Sequence, residues 1–192
     1  MRLSILLLGA LAVLPSIPVS AQNVLIAQGK SRDFARSLAP YVVSPQHVVD
    51  LMLEMADLKP GETLYDLGSG EGRIVIMAAR KFKAKAVGVE LEAGLCKIAS
   101  ARVKAFGLED SVRIIHGNLL KVDLRPADVV TIYLLTASNE LLRPNLERDL
   151  KPGARVVSHD FEIRGWKPSA VQKLEAEGRP RTIYVYEMGS RK

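Results

Sequence analysis

Cysteine is nearly absent: Cys96 stands alone in 192 residues, so no disulfide can close within the chain. It falls in a helical pattern where a small apolar residue would serve, which assigns it to packing. The three histidines, His47, His116 and His159, lack metal-ligand spacing, and no metal is expected. No G-x-x-x-x-G-K-S/T segment exists, which disfavours a phosphate cradle. Aromatic residues make up only 5% of the chain, and no arginine-rich run is interleaved with them. Although 27 basic against 21 acidic residues leave a net charge of +6, the charges are scattered, and nucleic acid is not an expected partner. The surplus would still help approach to acidic proteins or anionic lipid.

What is present is a chain 48% hydrophobic and 25% charged, long enough for one well-buried domain and too short for two comfortable ones. Ser44 is placed to cap a helix with Pro45 at its first position, and Val48, Val49, Met52 and Met55 recur on one face. An apolar strand leads into residues 64–67, and an amphipathic helix covers 73–82. Further strands are expected at 86–90, 112–116, 128–135 and 155–161, with a helix at 95–106 stopped by Gly107. Asn139 is expected to cap a short helix from Glu140, with Pro144 starting a further helical turn that ends near Leu150. Residues 182–188 alternate as a last strand, and 170–174 can pair with it. Leu58-Lys59-Pro60-Gly61 and Leu150-Lys151-Pro152-Gly153 each stop a helix and reverse the chain. Strands alternating with helices predict an α/β fold, with a parallel sheet covered on both faces.

The chain is organised around Leu64-Tyr65-Asp66-Leu67-Gly68-Ser69-Gly70-Glu71-Gly72. An apolar strand ends in an acid, and three alternate glycines lead into a helix. Gly68 lets the chain leave the strand, Gly70 permits close approach to backbone, and Gly72 is expected to start the helix tight against the sheet. The spacing G-x-G-x-G departs from the dinucleotide fingerprint G-x-G-x-x-G, and the acid two residues before Gly68 suits a cationic ligand better than a pyrophosphate. An NAD-dependent dehydrogenase is therefore the weaker reading. Glu90 ends the second strand, where a parallel neighbour brings its carboxylate toward ribose hydroxyls.

Asp66 to Gly72 and Glu90 together resemble the class I S-adenosylmethionine-dependent methyltransferases. Tyr41-Val42-Val43-Ser44-Pro45, Ile132-Tyr133-Leu134-Leu135 with Asn139, and residues 150–153 running into Val156-Val157-Ser158-His159-Asp160-Phe161, Gly165 and Trp166 narrow the likeness. From about Pro40 onward the chain resembles the protein-lysine methyltransferase family of the mitochondrial ATP synthase c-subunit and adenine nucleotide translocase enzymes and their archaeal relatives. The resemblance implies a Rossmann-like, mostly parallel seven-stranded sheet with one antiparallel strand near the C-terminus. It implies S-adenosyl-L-methionine as cofactor and a protein lysine as methyl acceptor. Asp66, Gly68, Ser69, Gly70, Gly72 and Glu90 would hold the cofactor, with Tyr41 and Ser44 contributed by a segment folded over it. Asn118 would meet the adenine, although an acid is commoner at its position, as an Asp is where this chain has Glu71. Tyr133, at the end of the fourth strand, would be the catalytic residue presented to the nucleophile. Read from the residues alone, Tyr41 and Tyr133 serve equally as packing aromatics and Asn118 as a turn residue. Methylation of RNA or a small molecule, and a binding module that transfers nothing, are the alternatives. Ser158-His159-Asp160 invites a hydrolase reading, set aside because adjacent strand residues point to opposite faces. His159 is accordingly assigned a structural or supporting role.

The first residues carry a different signal. Arg2, an apolar run over 3–14, Pro15, Pro18 and Val19-Ser20-Ala21 match a secretory signal with cleavage after Ala21. A cleaved leader would make the protein exported or periplasmic, away from where S-adenosylmethionine is made. An uncleaved one could anchor it to a membrane with the domain in the cytoplasm, since Lys30, Arg32 and Arg36 follow it. The organisation expected is a signal or anchor over 1–21, a linker or arm over 22–39 and a catalytic domain over 40–192.

Overall fold

The computed structural model describes residues 41–189, so the leader and arm expected from the sequence lie outside the described residues. Helix α1 spans Gln46–Met55, followed by strand β1 at Thr63–Leu67, α2 at Arg73–Phe82, β2 at Lys85–Glu90, α3 at Ala93–Ala105 and β3 at Val112–His116. A short 3-10 turn, Leu119–Lys121, precedes β4 at Val129–Ile132. Helix α4 runs Thr136–Asp149, and β5 at Arg155–His159, β6 at Ala170–Ala176 and β7 at Arg179–Glu187 complete the element order.

These strands form one seven-stranded sheet in the order β3-β2-β1-β4-β5-β7-β6. Pairings among β1 to β5 are parallel, whereas β7 runs antiparallel to both β5 and β6. The fold expected from the alternation of elements is therefore the fold observed, including the single reversed strand near the C-terminus.

Strand alternation divides the core in two. Leu64, Ala86, Val112, Val129 and Val157 pack with α1 and α2 on one face. Tyr65, Val89, Val130, Ile132 and Val156 pack with Leu142 and Leu146 of α4 on the other. The entry ends of the strands are tied by charge: the Arg155 guanidinium grips both oxygens of Glu62 at 3.0 and 2.5 Å, and Asp128 accepts from the Thr63 amide at 2.8 Å. The carboxyl ends of the parallel strands are left to the site.

Three local expectations need correction. Ser44 does not cap α1: the cap position is Pro45, without a side-chain cap, because the Ser44 hydroxyl goes to His159 instead. Asn139 and Pro144 both lie inside one continuous helix. Asn139 is fully buried, and its amide donates to the Phe161 and Glu162 carbonyls at 3.2 and 3.4 Å, a tertiary anchor where a cap was expected. Strands β4 and β5 stop at Ile132 and His159, shorter than the apolar runs imply, so Tyr133 and Asp160 fall just past their ends.

Candidate active site

The turn after β1 is fastened to β2 through backbone. Gly68 and Ser69 both donate to the Val89 carbonyl, at 2.8 and 3.0 Å. The Glu90 carboxylate accepts from the Gly70 amide at 2.8 Å through one oxygen and from the Glu92 amide at 2.9 Å through the other. Glu90 thus braces the turn as well as standing at the strand end predicted for it. At Gly70 (φ +52°) a side chain would begin 2.5 Å from the Tyr41 ring. The close approach this glycine permits is therefore made, in part, by the chain itself.

Gly72 starts α2 as its N-cap, with φ +80°. A side chain there would press on Ala99 of α3 at 3.2 Å, so the residue also lets two helices approach. Ser69 is buried, and its hydroxyl finds no partner among the described residues.

Asp66 sits opposite Thr131 in the β1–β4 register, and its carboxylate accepts from the Thr131 hydroxyl at 2.8 Å. It is buried and makes no ion pair with a described residue. Burial pushes its pKa up to about 7; the Thr131 hydrogen bond works against that rise and the charge on Glu90 adds to it. Such a group is short of positive charge.

Two residues beyond Thr131, Tyr133 stacks on His159 with ring centroids 3.9 Å apart and lies tilted against Phe161 at 6.1 Å. Its hydroxyl donates to Asp160 at 3.1 Å and accepts from Arg181 at 2.8 Å. Arg181 also donates to Asp160 at 2.8 Å, and the second Asp160 oxygen takes the Thr182 amide at 2.9 Å. Here the carboxylate is fully compensated. Burial alone would raise the Asp160 pKa, but the Thr182 amide and the Arg181 guanidinium hold it below the usual carboxylate range.

Asp160 also corrects the argument from strand alternation. It has left the strand with φ +59°, a left-handed conformation that turns its carboxylate back to within 3.5 Å of His159 Nε2. Ser158 bonds instead to the Phe161 carbonyl. The serine that meets the histidine is Ser44, whose hydroxyl lies 3.1 Å from Nδ1. The carboxylate beside Nε2 can only accept, and although that contact falls short of a hydrogen bond, its charge favours the tautomer with the proton on Nε2 and Nδ1 accepting from Ser44. His159 is fully buried, and burial lowers its pKa to about 4, with Asp160 opposing and Arg181 adding to the shift. It is a neutral supporting residue, as the sequence assigned.

Tyr133, His159 and Ser44 are thus in contact in series, Thr131 two positions before Tyr133 holds Asp66, and the segment carrying Ser44 leads back through Tyr41 to Gly70. Asn118 stands apart: it is exposed, and its side chain accepts from the Leu120 amide at 2.9 Å as the cap of the 3-10 turn. Cys96 is buried with its thiol pushed up to about 11, chiefly by burial, an inert packing residue. Glu71 pairs with Arg102 at 2.7 Å and Arg73 at 3.1 Å.

Sequence reasoning missed Thr131, Phe161 and Arg181. Thr131 carried a signal, being the one polar residue of the apolar strand Val129-Val130-Thr131-Ile132. Gly88 carried another, since a side chain there would strike the Ser69 hydroxyl at 2.7 Å. Arg181 carried none, because nothing local marks a surface-type residue as the partner of an acid 21 positions away.

Comparison with known proteins agrees with this geometry. The ANTKMT methyltransferase domain matches residues 66–170. A protein-lysine N-methyltransferase of Saccharolobus islandicus is 47% identical over 154 residues, covering 80% of this chain and 96% of the relative. The adenine nucleotide translocase lysine N-methyltransferase of Mus musculus is 34% identical over 165 residues, covering 86% of this chain and 70% of the relative. Among solved structures, an RNA methyltransferase of Salinibacter ruber in complex with S-adenosyl-L-homocysteine superposes with a TM-score of 0.73 at 44% identity, covering 79% of this chain and 96% of the other.

Proposed function

We propose, from the premise that this chain belongs to the ANTKMT methyltransferase domain family, that its methyl acceptor is the ε-amine of a protein lysine. The chain is an S-adenosylmethionine-dependent methyltransferase. The lysine acceptor is carried chiefly by the 47% identity to a protein-lysine N-methyltransferase along nearly all of that relative's length.

The residues around the turn fit the cofactor. Among the described residues Asp66 is a buried carboxylate with no cation and Ser69 a buried hydroxyl with no partner, both of which a cationic ligand rich in donors and acceptors would satisfy. On this reading Asp66 and Glu90 bind it, Gly68, Ser69, Gly70 and Gly72 form its cradle, and Tyr41 and Ser44 belong to the segment that covers it. Asn118 would meet the adenine through its amide nitrogen, its oxygen being taken by the Leu120 amide. When bound, S-adenosylmethionine supplies a methyl group carried on a positively charged sulfur.

The chain's own contribution is to place the amine. A lysine must attack neutral, and with a free pKa of ~10.4 that costs about 4 to 5 kcal/mol at pH 7. Asp66, with its pKa near 7, is taken by Thr131 and by the cofactor, and none of the residues at the acceptor wall is suited as the base. His159 is held near 4, Asp160 is saturated by Arg181, Tyr133 and Thr182, and burial raises the Tyr133 phenol. The proton therefore leaves to water, and Tyr133 with Phe161 forms an aromatic wall that orients the amine and excludes solvent.

Transfer of a labelled methyl group by the full chain into a cell lysate, resolved into protein, RNA and small-molecule fractions, tests this function. Label in protein lysines, reduced at least tenfold by Tyr133→Leu with the cofactor at saturating concentration, is the expected result. Label confined to RNA, the acceptor class named for the Salinibacter ruber relative, would overturn it. We also propose that residues 1–21 are a cleaved export signal; a mature N-terminus at Gln22 is expected on sequencing, and a retained leader in the membrane fraction would make it an anchor.

A further inference from the structure

We propose that the Ser44–His159 hydrogen bond is a latch that holds residues 41–45 over the cofactor site, with His159 as the positioning residue that ties this closure to Tyr133. The inference rests on the cofactor site placed at the Asp66–Gly72 turn.

The segment has few holds. Tyr41, Val42 and Val43 are 45%, 49% and 39% exposed, so they contribute little burial of their own. Tyr41 touches the turn through its ring at Gly70. The next fixed point is Ser44, whose hydroxyl is 115 residues from its partner in sequence and 3.1 Å from it in space. Beyond that the chain enters α1, where Val48 and Val49 are fully buried. Among the described residues, losing the Ser44 bond would leave the stretch before the helix held by the Tyr41 ring at one end and the buried Pro45 at the other.

His159 is built to be one end of such a latch. Ser44 meets its Nδ1, the Tyr133 ring covers one face at 3.9 Å, Asp160 stands 3.5 Å from its Nε2, and Arg181 on β7 compensates Asp160. The arrangement has the order of a nucleophilic triad without its function. Asp160 is already neutralised by Arg181, and Ser44 is buried, so the hydroxyl is fixed and not activated. What the series can transmit is position: a displaced Ser44 releases one side of the imidazole whose other side sets the Tyr133 ring. Closure of the segment and readiness of the acceptor wall would then be coupled, and by linkage each favours the other.

Calorimetric titration of the full chain with S-adenosyl-L-homocysteine tests the latch. Ser44→Ala and His159→Phe are each expected to weaken binding about five- to tenfold, the loss of one buried hydrogen bond. The double variant should be no weaker than the weaker single, because both remove the same bond. Ser44→Thr keeps the hydroxyl and should bind within about twofold of wild type. Tyr133→Leu, which removes the ring behind the imidazole, should weaken binding about threefold in the wild-type background and not in Ser44→Ala. The 15N resonance of His159 Nδ1 should report an accepted hydrogen bond that disappears in Ser44→Ala. Unchanged affinity in Ser44→Ala, or additive losses in the double variant, would overturn the latch. Should His159→Phe fail to fold, the Ser44→Ala and Ser44→Thr pair decides alone. S-adenosyl-L-homocysteine bound as tightly by Asp66→Asn as by the wild-type chain would instead overturn the placement of the cofactor site.

Discussion

Two carboxylates, the buried Asp66 and the partly buried Asp160, stand at the ends of neighbouring parts of one sheet and live in opposite electrostatic conditions. Asp66 has a hydroxyl from Thr131 and no cation among the described residues, and burial carries its pKa up to about 7. Asp160 has Arg181, the Tyr133 hydroxyl and the Thr182 amide, and is held below its ordinary value. The first is a site that demands a positive ligand, and the second is a wall already neutral and rigid before any ligand comes. A methyl donor that arrives as a cation and an acceptor that must shed its charge before reacting need these two different surroundings.

The comparison breaks most severely at Arg181. Replacing it with Met leaves the partly buried Asp160 with no cation, held only by the Tyr133 hydroxyl and the Thr182 amide, and stability is expected to fall by about 2 kcal/mol, read as a lower urea midpoint. The Asp160→Asn/Arg181→Met double variant should recover part of that loss. A single variant within about 0.5 kcal/mol of wild type would mean that Arg181 contributes nothing at this wall.

Asp66→Asn should act with the opposite sign on stability. The amide keeps the Thr131 hydrogen bond and removes a buried charge, so the cofactor-free chain is expected to gain about 2 kcal/mol at pH 8. Cofactor affinity should drop by about a hundredfold, since a desolvated carboxylate facing a cation is lost. Calorimetry and urea unfolding on the same sample check both arms, and loss of stability together with retained affinity would show that Asp66 is a structural acid. Thr131→Val should have a smaller effect, weakening binding about fivefold by removing the hydroxyl that steadies the ionised form.

The same contrast explains what the sequence alone could reveal. The cofactor half is local: Asp66, Gly68, Gly70 and Gly72 lie within seven positions, their backbone conformations are demanded by residue type, and Glu90 follows at a strand end. Such a pattern is visible in one dimension. The acceptor half gathers Ser44, Tyr133, His159, Asp160 and Arg181 from α1's leading segment, β4, β5 and β7. Only Tyr133 could be placed, through the rule that ligands sit beyond strand ends. Ser44 was assigned as a helix cap because local propensity favours it, and a bond to His159 across 115 positions won instead. Asn139 was assigned as a cap for the same reason and proved to be a buried anchor. The alternation argument at Ser158-His159-Asp160 failed because the strand ends at His159, a boundary that periodicity locates only to within a few residues.

The smallest effect predicted is a near absence. Asp66 keeps its proton in the fold up to about pH 7 but loses it near 3.8 when unfolded, so its contribution to stability falls as pH rises through that window. His159 does the reverse: unfolded it holds a proton up to 6.5, folded only to about 4, so stability rises with pH between those values. Each amounts to about 3 to 4 kcal/mol at 1.36 kcal/mol per pH unit, and between pH 4 and 6.5 they oppose each other. The carboxylates paired with Arg155, Lys151, Arg148 and Arg181 have lowered pKa values, and the stability they contribute is lost toward the acid end of this range and below it. The cofactor-free chain should therefore show an almost level urea midpoint from pH 4 to 6.5. Asp66→Asn should uncover a rise of about 3 kcal/mol across that range, the His159 contribution standing alone, whereas His159→Phe should uncover a fall. A wild-type profile as steep as that of Asp66→Asn would show that the buried acid at the turn is ionised throughout, and that the two carboxylates differ less than their surroundings imply.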